Sequence, residues 1–160
     1  MSVRGKRIST AETQRGRGAE SSNFMIEPTD FENSLATRII GCAMIVHRQF
    51  GPGLVESVYE TCFCHELLKA GLTVHRQKCQ PIIYDGISLE DPFRLDLVVE
   101  DTIIIENKVV EKVLPLHQAQ LRSYLKLANR RLGLLISFNT ELLKDGVHRV
   151  INGDATYNLT

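Results

Sequence analysis

A Glu-Asn-Lys triplet at residues 106–108 places a carboxylate and an amine within an apolar stretch. Side chains alternate between the two faces of a strand, so Glu106 and Lys108 project to one side and Asn107 to the other. Three isoleucines, residues 103–105, precede the triplet and are typical of a buried strand. Because charge without partners is costly in such a strand, we expect Glu106 and Lys108 to be neighbours with a shared role.

A second carboxylate, Asp96, lies on the preceding β-rich run, residues 94–100. A tight turn at Glu100-Asp101 joins this run to the next, residues 102–110, so the two should pair antiparallel and bring Asp96 close to Glu106. Two close carboxylates repel each other unless a cation lies between them, and oxygen-bound Mg²⁺ or Mn²⁺ relieves the repulsion. A third carboxylate is available in Glu56.

These residue types match the needs of phosphodiester cleavage. The reaction needs a metal to polarise the phosphoryl oxygen, an activated water, and a cation that holds the water or steadies the developing charge. Asp96, Glu106 and Lys108 supply those types. The alternative is a surface ion pair on an edge strand, with Asp96 as a turn carboxylate. A Glu-x-Lys triplet is expected by chance roughly once in a chain of this size, so the triplet alone does not distinguish a catalytic site from a surface ion pair.

Three helices are predicted around these residues. Thr29 followed by Glu32 is a capping box, and apolar residues then recur at helical spacing as far as Phe50. Gly71 is placed to end the second helix. The predicted helices are residues 29–50, 54–70 and 115–129, of which the first two form an N-terminal pair.

The predicted strands complete an α/β fold. Pro81 indicates that its strand lies at a sheet edge, and Asp85-Gly86 is a hairpin turn signal before the return at Ile87. A strand, a helix and a strand in succession predict a parallel crossover. The fold class is therefore a central mixed β-sheet flanked by helices. The predicted strands are residues 74–84, 94–100, 102–110, 132–138 and 147–151.

Composition limits the alternatives. The 160 residues suit one domain, and 19 basic residues balance 19 acidic ones, so nucleic acid would have to meet local basic patches and metal ions. The longest apolar run, residues 39–46, is too short to span a membrane. We expect no membrane contact and a cytoplasmic protein, because the N-terminus shows no apolar signal-peptide core. The four cysteines form no CxxC pair and are expected to be reduced thiols.

The chain is expected to divide into three parts. Residues 1–28 are polar and partly basic with almost no apolar spacing, which predicts a disordered tail. Residues 29–153 should form the folded domain, and residues 154–160 a C-terminal tail.

The segment GLVESVY, residues 53–59, resembles the pattern that names the GxxExxY protein family, with Gly53, Glu56 and Tyr59 at the named positions. The segments HRQFGPGLVESVYE, RLDLVVEDTIIIENK, LHQAQLRSYLKL and LGLLISF also follow the order that this family shows. The resemblance covers about residues 35–152. It implies a branch of the PD-(D/E)xK nuclease superfamily, with a restriction-endonuclease-like core and a carboxylate metal site.

The resemblance also implies roles for individual residues. Glu56 would be the helical carboxylate, Asp96 and Glu106 the strand carboxylates, and Lys108 the motif lysine. The metal ligands would be Glu56, Asp96, Glu106 and the backbone carbonyl of Asn107. Asn107 departs from the family pattern, which has an apolar residue there, and Leu95 stands where the superfamily has a proline.

Further residues are expected to support the site. Gln120 and Tyr124 are four apart on one helix face and are similar to the QxxxY motif of RecB-like nucleases. Tyr59 is equally suited to packing and to substrate contact. Arg94 and Arg122 are candidate phosphate contacts, of which Arg94 is the better because it falls on the Asp96 face.

Two functions follow as expectations. The first is a metal-dependent nuclease that uses Mg²⁺ or Mn²⁺, with DNA favoured over RNA. The second is a catalytically silent module of the same fold that binds nucleic acid or a protein partner. A homodimer or a larger complex is open in either case.

Overall fold

A pair of helices precedes the sheet in the computed structural model, which describes residues 27–89 and 93–153. Helix α1 (Asp30–Phe50) begins with the predicted capping box, because Glu32 N–H donates to the Thr29 hydroxyl at 3.2 Å and Thr29 N–H donates to the Glu32 carboxylate at 2.7 Å. Helix α2 (Glu56–Lys69) begins two residues later than predicted. The tails expected at residues 1–28 and 154–160 lie outside the described residues, apart from residues 27 and 28.

The remaining elements are β1 (Val74–Gln80), β2 (Ile83–Tyr84), β3 (Ile87–Ser88), β4 (Phe93–Val99), β5 (Ile103–Lys108), α3 (Pro115–Ala128), β6 (Leu132–Ser137), α4 (Leu143–Gly146) and β7 (Val147–Ile151). A five-stranded sheet has the order β1-β4-β5-β6-β7. Strands β5 and β6 are parallel, and the other neighbours are antiparallel. The predicted mixed sheet flanked by helices, with its two-helix N-terminal pair, is confirmed.

The structure differs from the predictions at three further points. The strand expected over residues 74–84 is divided at Pro81, which has no N–H to donate, and β2 pairs with β3 in a separate two-stranded sheet. Strand β5 ends at Lys108 and not at Val110. The one-turn helix α4 directly before β7 was not predicted. Gly146 is required there, since a Cβ would lie 2.1 Å from the carbonyl oxygen of Ser137.

Each face of the sheet carries its own apolar cluster. Helices α1 and α2 cover one face, where Tyr59 stacks on Phe138 with ring centroids 4.8 Å apart. Helix α3 covers the other face through Leu121 and Leu125. The α1/α2 cluster receives Leu97, Val99, Ile103 and Ile105 from the strands, and the α3 cluster receives Leu95, Val98 and Ile104.

The alternation of side chains is interrupted in β4. Leu95 and Val98 lie three residues apart yet pack in the same α3 cluster. In the register between β1 and β4, Arg76 pairs with Leu97 and Lys78 with Leu95, but the residues between them, Gln77 and Asp96, are left out of the pairing. This interruption is what places Asp96 in the site described next.

Candidate active site

Asp96 and Glu106 meet at one end of the antiparallel pair β4 and β5. Leu97 pairs with Ile105, so Asp96 and Glu106 come next along the two strands. The backbone N–H of Asn107 donates to Asp96 Oδ2 at 3.0 Å, and Lys108 Nζ lies 3.9 Å from Glu106 Oε2. The sequence-based expectation that Glu106 and Lys108 are neighbours, with Asp96 beside them, describes the structure correctly.

Too little positive charge surrounds the carboxylates of Asp96 and Glu106 to balance them. Burial raises the pKa of Glu106 to about 8, with Asp96 adding to the rise and Lys108 opposing it. Burial also raises the pKa of Asp96, against the hydrogen bond from the Asn107 N–H. Glu106 Oε1 is buried and has no hydrogen-bond partner among residues 27–89 and 93–153. The site can therefore accept a further positive charge.

Glu56 joins this group from the first position of α2. Its side chain is largely exposed to solvent. The part that is buried makes the largest contribution to a raised pKa, repulsion from Asp96 adds to the rise, and Lys108 opposes it. The structure thus brings all four predicted residues, Glu56, Asp96, Glu106 and Lys108, into one electrostatic neighbourhood. Within the part of the chain that is described, no three His, Cys, Asp or Glu side chains already converge as a metal-binding group.

Two residues of the site were missed in the sequence. Glu60, which is buried, accepts from Arg76 Nε at 3.1 Å and from Gln77 Nε2 at 3.2 Å. Gln77 Nε2 also lies 3.4 Å from Asp96 Oδ1. The spacing of four between Glu56 and Glu60 could have indicated Glu60, because such residues share a helix face. Gln77 carried no comparable signal, since its contribution depends on the interrupted pairing.

Helix α3 brings its predicted pair to the same site. Gln120 is exposed and hydrogen-bonded to Tyr124, whose ring stacks on Phe93 with centroids 4.2 Å apart. Burial and the neighbouring Glu106 raise the pKa of Tyr124. Tyr124 therefore forms part of the wall around the carboxylates, with Gln120 beside it.

Tyr59 lies in the core. It is fully buried, and its hydroxyl donates to the carbonyl of Gly51 and accepts from the N–H of Leu54 at 3.2 Å. The sequence left packing and substrate contact open as roles for Tyr59, and in the structure Tyr59 packs in the core. By holding the loop before α2, Tyr59 fixes the position from which Glu56 projects.

The predicted phosphate contacts and Asn107 differ in their surroundings. Arg94 is exposed and has no ion-pair partner among the described residues. Arg122 is half-buried, and its Nε has no hydrogen-bond partner within the same ranges. Asn107 is fully buried, and neither polar atom of its side chain has a partner in the described part of the chain. The contact of Asn107 with the site is made by its backbone, whose N–H donates to Asp96 Oδ2.

Comparison with known proteins agrees with this arrangement. A family model for the PD-(D/E)XK nuclease superfamily matches residues 33–150, a span that includes every residue of the site. The chain belongs to the PD-(D/E)XK nuclease superfamily. Its mixed sheet with flanking helices is the restriction-endonuclease-like fold of that superfamily. No curated protein and no solved structure matches the chain. Membership of the GxxExxY branch stays a prediction.

Superfamily membership suggests nuclease activity on nucleic acid, and PD-(D/E)XK nucleases generally use divalent metals. The residues present fit such an ion. Glu106 offers a buried oxygen that has no hydrogen-bond partner among the residues that the structure describes, and Asp96 lies beside it. Carboxylate oxygens are ligands that Mg²⁺ prefers. None of the described helices is long and apolar enough to cross a membrane.

Proposed function

We propose that this protein is a metal-dependent nuclease of the GxxExxY branch that hydrolyses phosphodiester bonds in nucleic acid, with DNA preferred over RNA. One observation carries the proposal: buried Glu106, with an oxygen that has no partner in the described residues, lies beside Asp96 and 3.9 Å from Lys108. A buried and a half-buried carboxylate, both with raised pKa values, and one nearby amine are chemically suited to hold a cation and a phosphate.

The side chains of Glu56, Asp96 and Glu106 and the backbone carbonyl of Asn107 would hold Mg²⁺ or Mn²⁺. The bound ion would supply electrophilic assistance to the phosphoryl oxygen and neutralise charge at the carboxylates. All of the proposed ligand oxygens belong to β4, β5 and the first residue of α2. Such regular elements hold functional groups more rigidly than loops do.

The remaining residues act on the substrate and on the water. Lys108 would orient the attacking water or steady the developing negative charge, because its Nζ stays within reach of Glu106 Oε2. Gln120 and Tyr124 would support the substrate or Lys108 from α3. Arg94, which is exposed, and Arg122 would contact backbone phosphates, and Tyr59 would act only through the position of Glu56.

The test is cleavage of single-stranded DNA, double-stranded DNA and RNA in Mg²⁺ or Mn²⁺. We expect Glu106→Ala and Lys108→Ala each to lower the rate by at least about 100-fold, because each removes a group that acts in the transition state. Glu66→Ala and Lys69→Ala are matched controls, since these residues form a 3.4 Å ion pair on α2 and should keep parent activity. Equal rates in the parent, Glu106→Ala and Lys108→Ala would refute the mechanism.

The same preparations test the second function. Retention of nucleic acid in a gel-shift assay, with no cleavage under any metal condition, would favour the catalytically silent module. Faster cleavage of RNA than of either DNA form would overturn the DNA preference while leaving the mechanism in place.

A further inference from the structure

Gln77 has an unusual backbone conformation in the middle of β1. Its φ is +49°, in the left-handed region that residues other than glycine rarely adopt within a strand. This conformation is sterically unfavourable for a residue that has a Cβ, because the Cβ comes close to the following carbonyl oxygen. Such a residue persists only where its surroundings hold it firmly, and such positions cluster at functional sites.

The side chain of Gln77 is held by Glu60. Its Nε2 lies 3.2 Å from both carboxylate oxygens of Glu60, which is buried and also receives a hydrogen bond from Arg76 Nε at 3.1 Å. Because a carboxylate only accepts hydrogen bonds, it selects the amide orientation in which the nitrogen faces Glu60. Gln77 therefore presents an N–H toward the site.

That amide reaches Asp96 from one side. Gln77 Nε2 lies 3.4 Å from Asp96 Oδ1, while the backbone N–H of Asn107 donates to Asp96 Oδ2 at 3.0 Å from the neighbouring strand. Each carboxylate oxygen has two lone pairs, so both oxygens keep one for a cation. The Asp96 carboxylate is thus held by one donor from β1 and one from β5.

The interrupted pairing explains why this contact needs a side chain. The register between β1 and β4 leaves out Gln77 and Asp96. At this level the Gln77 amide links the two strands through its side chain, and it ends on the carboxylate that lies beside Glu106.

We propose that Gln77, anchored by Glu60, is a positioning residue that aims Asp96 at the cation beside Glu106. The proposal rests on the function proposed above, because it treats Asp96 as a metal ligand. Hydrogen-bond donors behind a ligand fix its orientation, and removal of such a group typically weakens metal binding by roughly 10–100-fold.

The test is calorimetric titration of the full chain with Mn²⁺. Gln77→Ala and Gln77→Gly should both bind Mn²⁺ roughly 10–100-fold more weakly than the parent. The glycine variant accepts a positive φ without strain and so separates the amide from the backbone conformation. Gln80→Ala is the matched control, because Gln80 also lies on β1 but donates to the carbonyl of Leu127 at 3.2 Å; it should keep parent affinity.

Melting curves in chelator establish that each variant is folded before titration. Parent affinity in Gln77→Gly would overturn the proposal, since the amide would then have no role, and equal weakening in Gln80→Ala would overturn it as well. Asp96→Asn separates the two levels of inference. Suppose that the parent binds Mn²⁺, that Asp96→Asn does not bind it, and that both Gln77 variants bind it as tightly as the parent. In that case only the proposed role of Gln77 is refuted. If the parent binds no Mn²⁺, the proposed function fails together with it.

Discussion

The two ends of the β4–β5 pair carry acidic residues in opposite states. At the turn between the strands, Asp101 lies 3.1 Å from Lys78 Nζ and 2.8 Å from Arg130 Nη2, and the hydrogen bonds from Arg130 and Lys78 lower its pKa. At the other end, burial raises the pKa values of Asp96 and Glu106. The same two strands therefore carry, at one end, an aspartate whose negative charge is balanced by two cations and, at the other end, a pair of carboxylates with too little positive charge nearby.

This difference follows from burial as well as from partners. The Asp101 side chain is 60% exposed, so water would stabilise its charge even without the two cations. Glu106 is 5% exposed, and a buried charge without adequate partners lowers the stability of the fold. An arrangement that destabilises the metal-free chain is expected where a ligand restores the balance. Residues that break local rules of this kind mark functional sites.

The largest expected effect is on stability in Glu106→Gln without metal. The folded-state pKa of Glu106 is about 8, above its ordinary value, so the folded chain holds a proton that the unfolded chain has lost. Stability should therefore fall as pH rises from about 5 to about 8 and then level off. Glu106→Gln removes this loss, and its free energy of unfolding should exceed that of the parent at about pH 8 by on the order of 2 kcal/mol.

Urea denaturation in chelator at both ends of that pH range measures the effect. Glu111→Gln, an exposed glutamate just beyond β5, is the control and should follow the parent. A parent whose stability rises between about pH 5 and about pH 8 while that of Glu106→Gln stays level would contradict the assignment of the buried, proton-retaining carboxylate.

A smaller gain is expected for Asn107→Leu. The Asn107 side chain is fully buried with both polar atoms unpartnered among the described residues, and each such atom costs roughly 1–3 kcal/mol. Repacking offsets part of the gain, so we expect about 1 kcal/mol of added stability by urea denaturation. Mn²⁺ affinity should not change, because Asp96 receives the backbone N–H of Asn107.

Asn152→Leu is the opposite control for this prediction. The Asn152 side chain donates to the carbonyl of Arg130 at 3.0 Å, so its loss should destabilise the protein. If Asn107→Leu instead lowered stability or abolished Mn²⁺ binding, the side-chain amide of Asn107 would contribute to the site and would not merely destabilise the fold.

Much of this arrangement was predictable from local patterns. Strand alternation placed Glu106 and Lys108 together, and the tight turn at Glu100-Asp101 brought Asp96 beside them. Helical spacing likewise placed Gln120 next to Tyr124. In each case the inference needed only the geometry of one element or of two elements joined by a short turn.

The parts that were missed depend on contacts between distant segments. Gln77 and Glu60 meet across 17 positions of sequence, and the left-handed conformation of Gln77 has no residue-type signal, since glycine is what such a position would favour. The division of the strand at Pro81 was also missed, although the proline was recognised. A single proline indicates an edge but does not say on which side of it the pairing ends.

The smallest expected effect is at the opposite end of the strand pair, in Asp101→Asn. Asparagine tolerates the positive φ of 48° found at Asp101, so the turn should persist while the two ion pairs are lost. Exposed pairs contribute little, and stability should fall by less than about 1 kcal/mol, less still in high salt. Because the pKa of Asp101 is lowered, its contribution is present above the ordinary aspartate pKa and is lost only as pH falls into the acid range. Urea denaturation should therefore show a constant deficit between about pH 5 and about pH 8, where Glu106→Gln shows a growing gain. A deficit as large as that gain, or one that varies across the same range, would mean that the two ends of β4 and β5 do not differ in the way their burial and partners indicate.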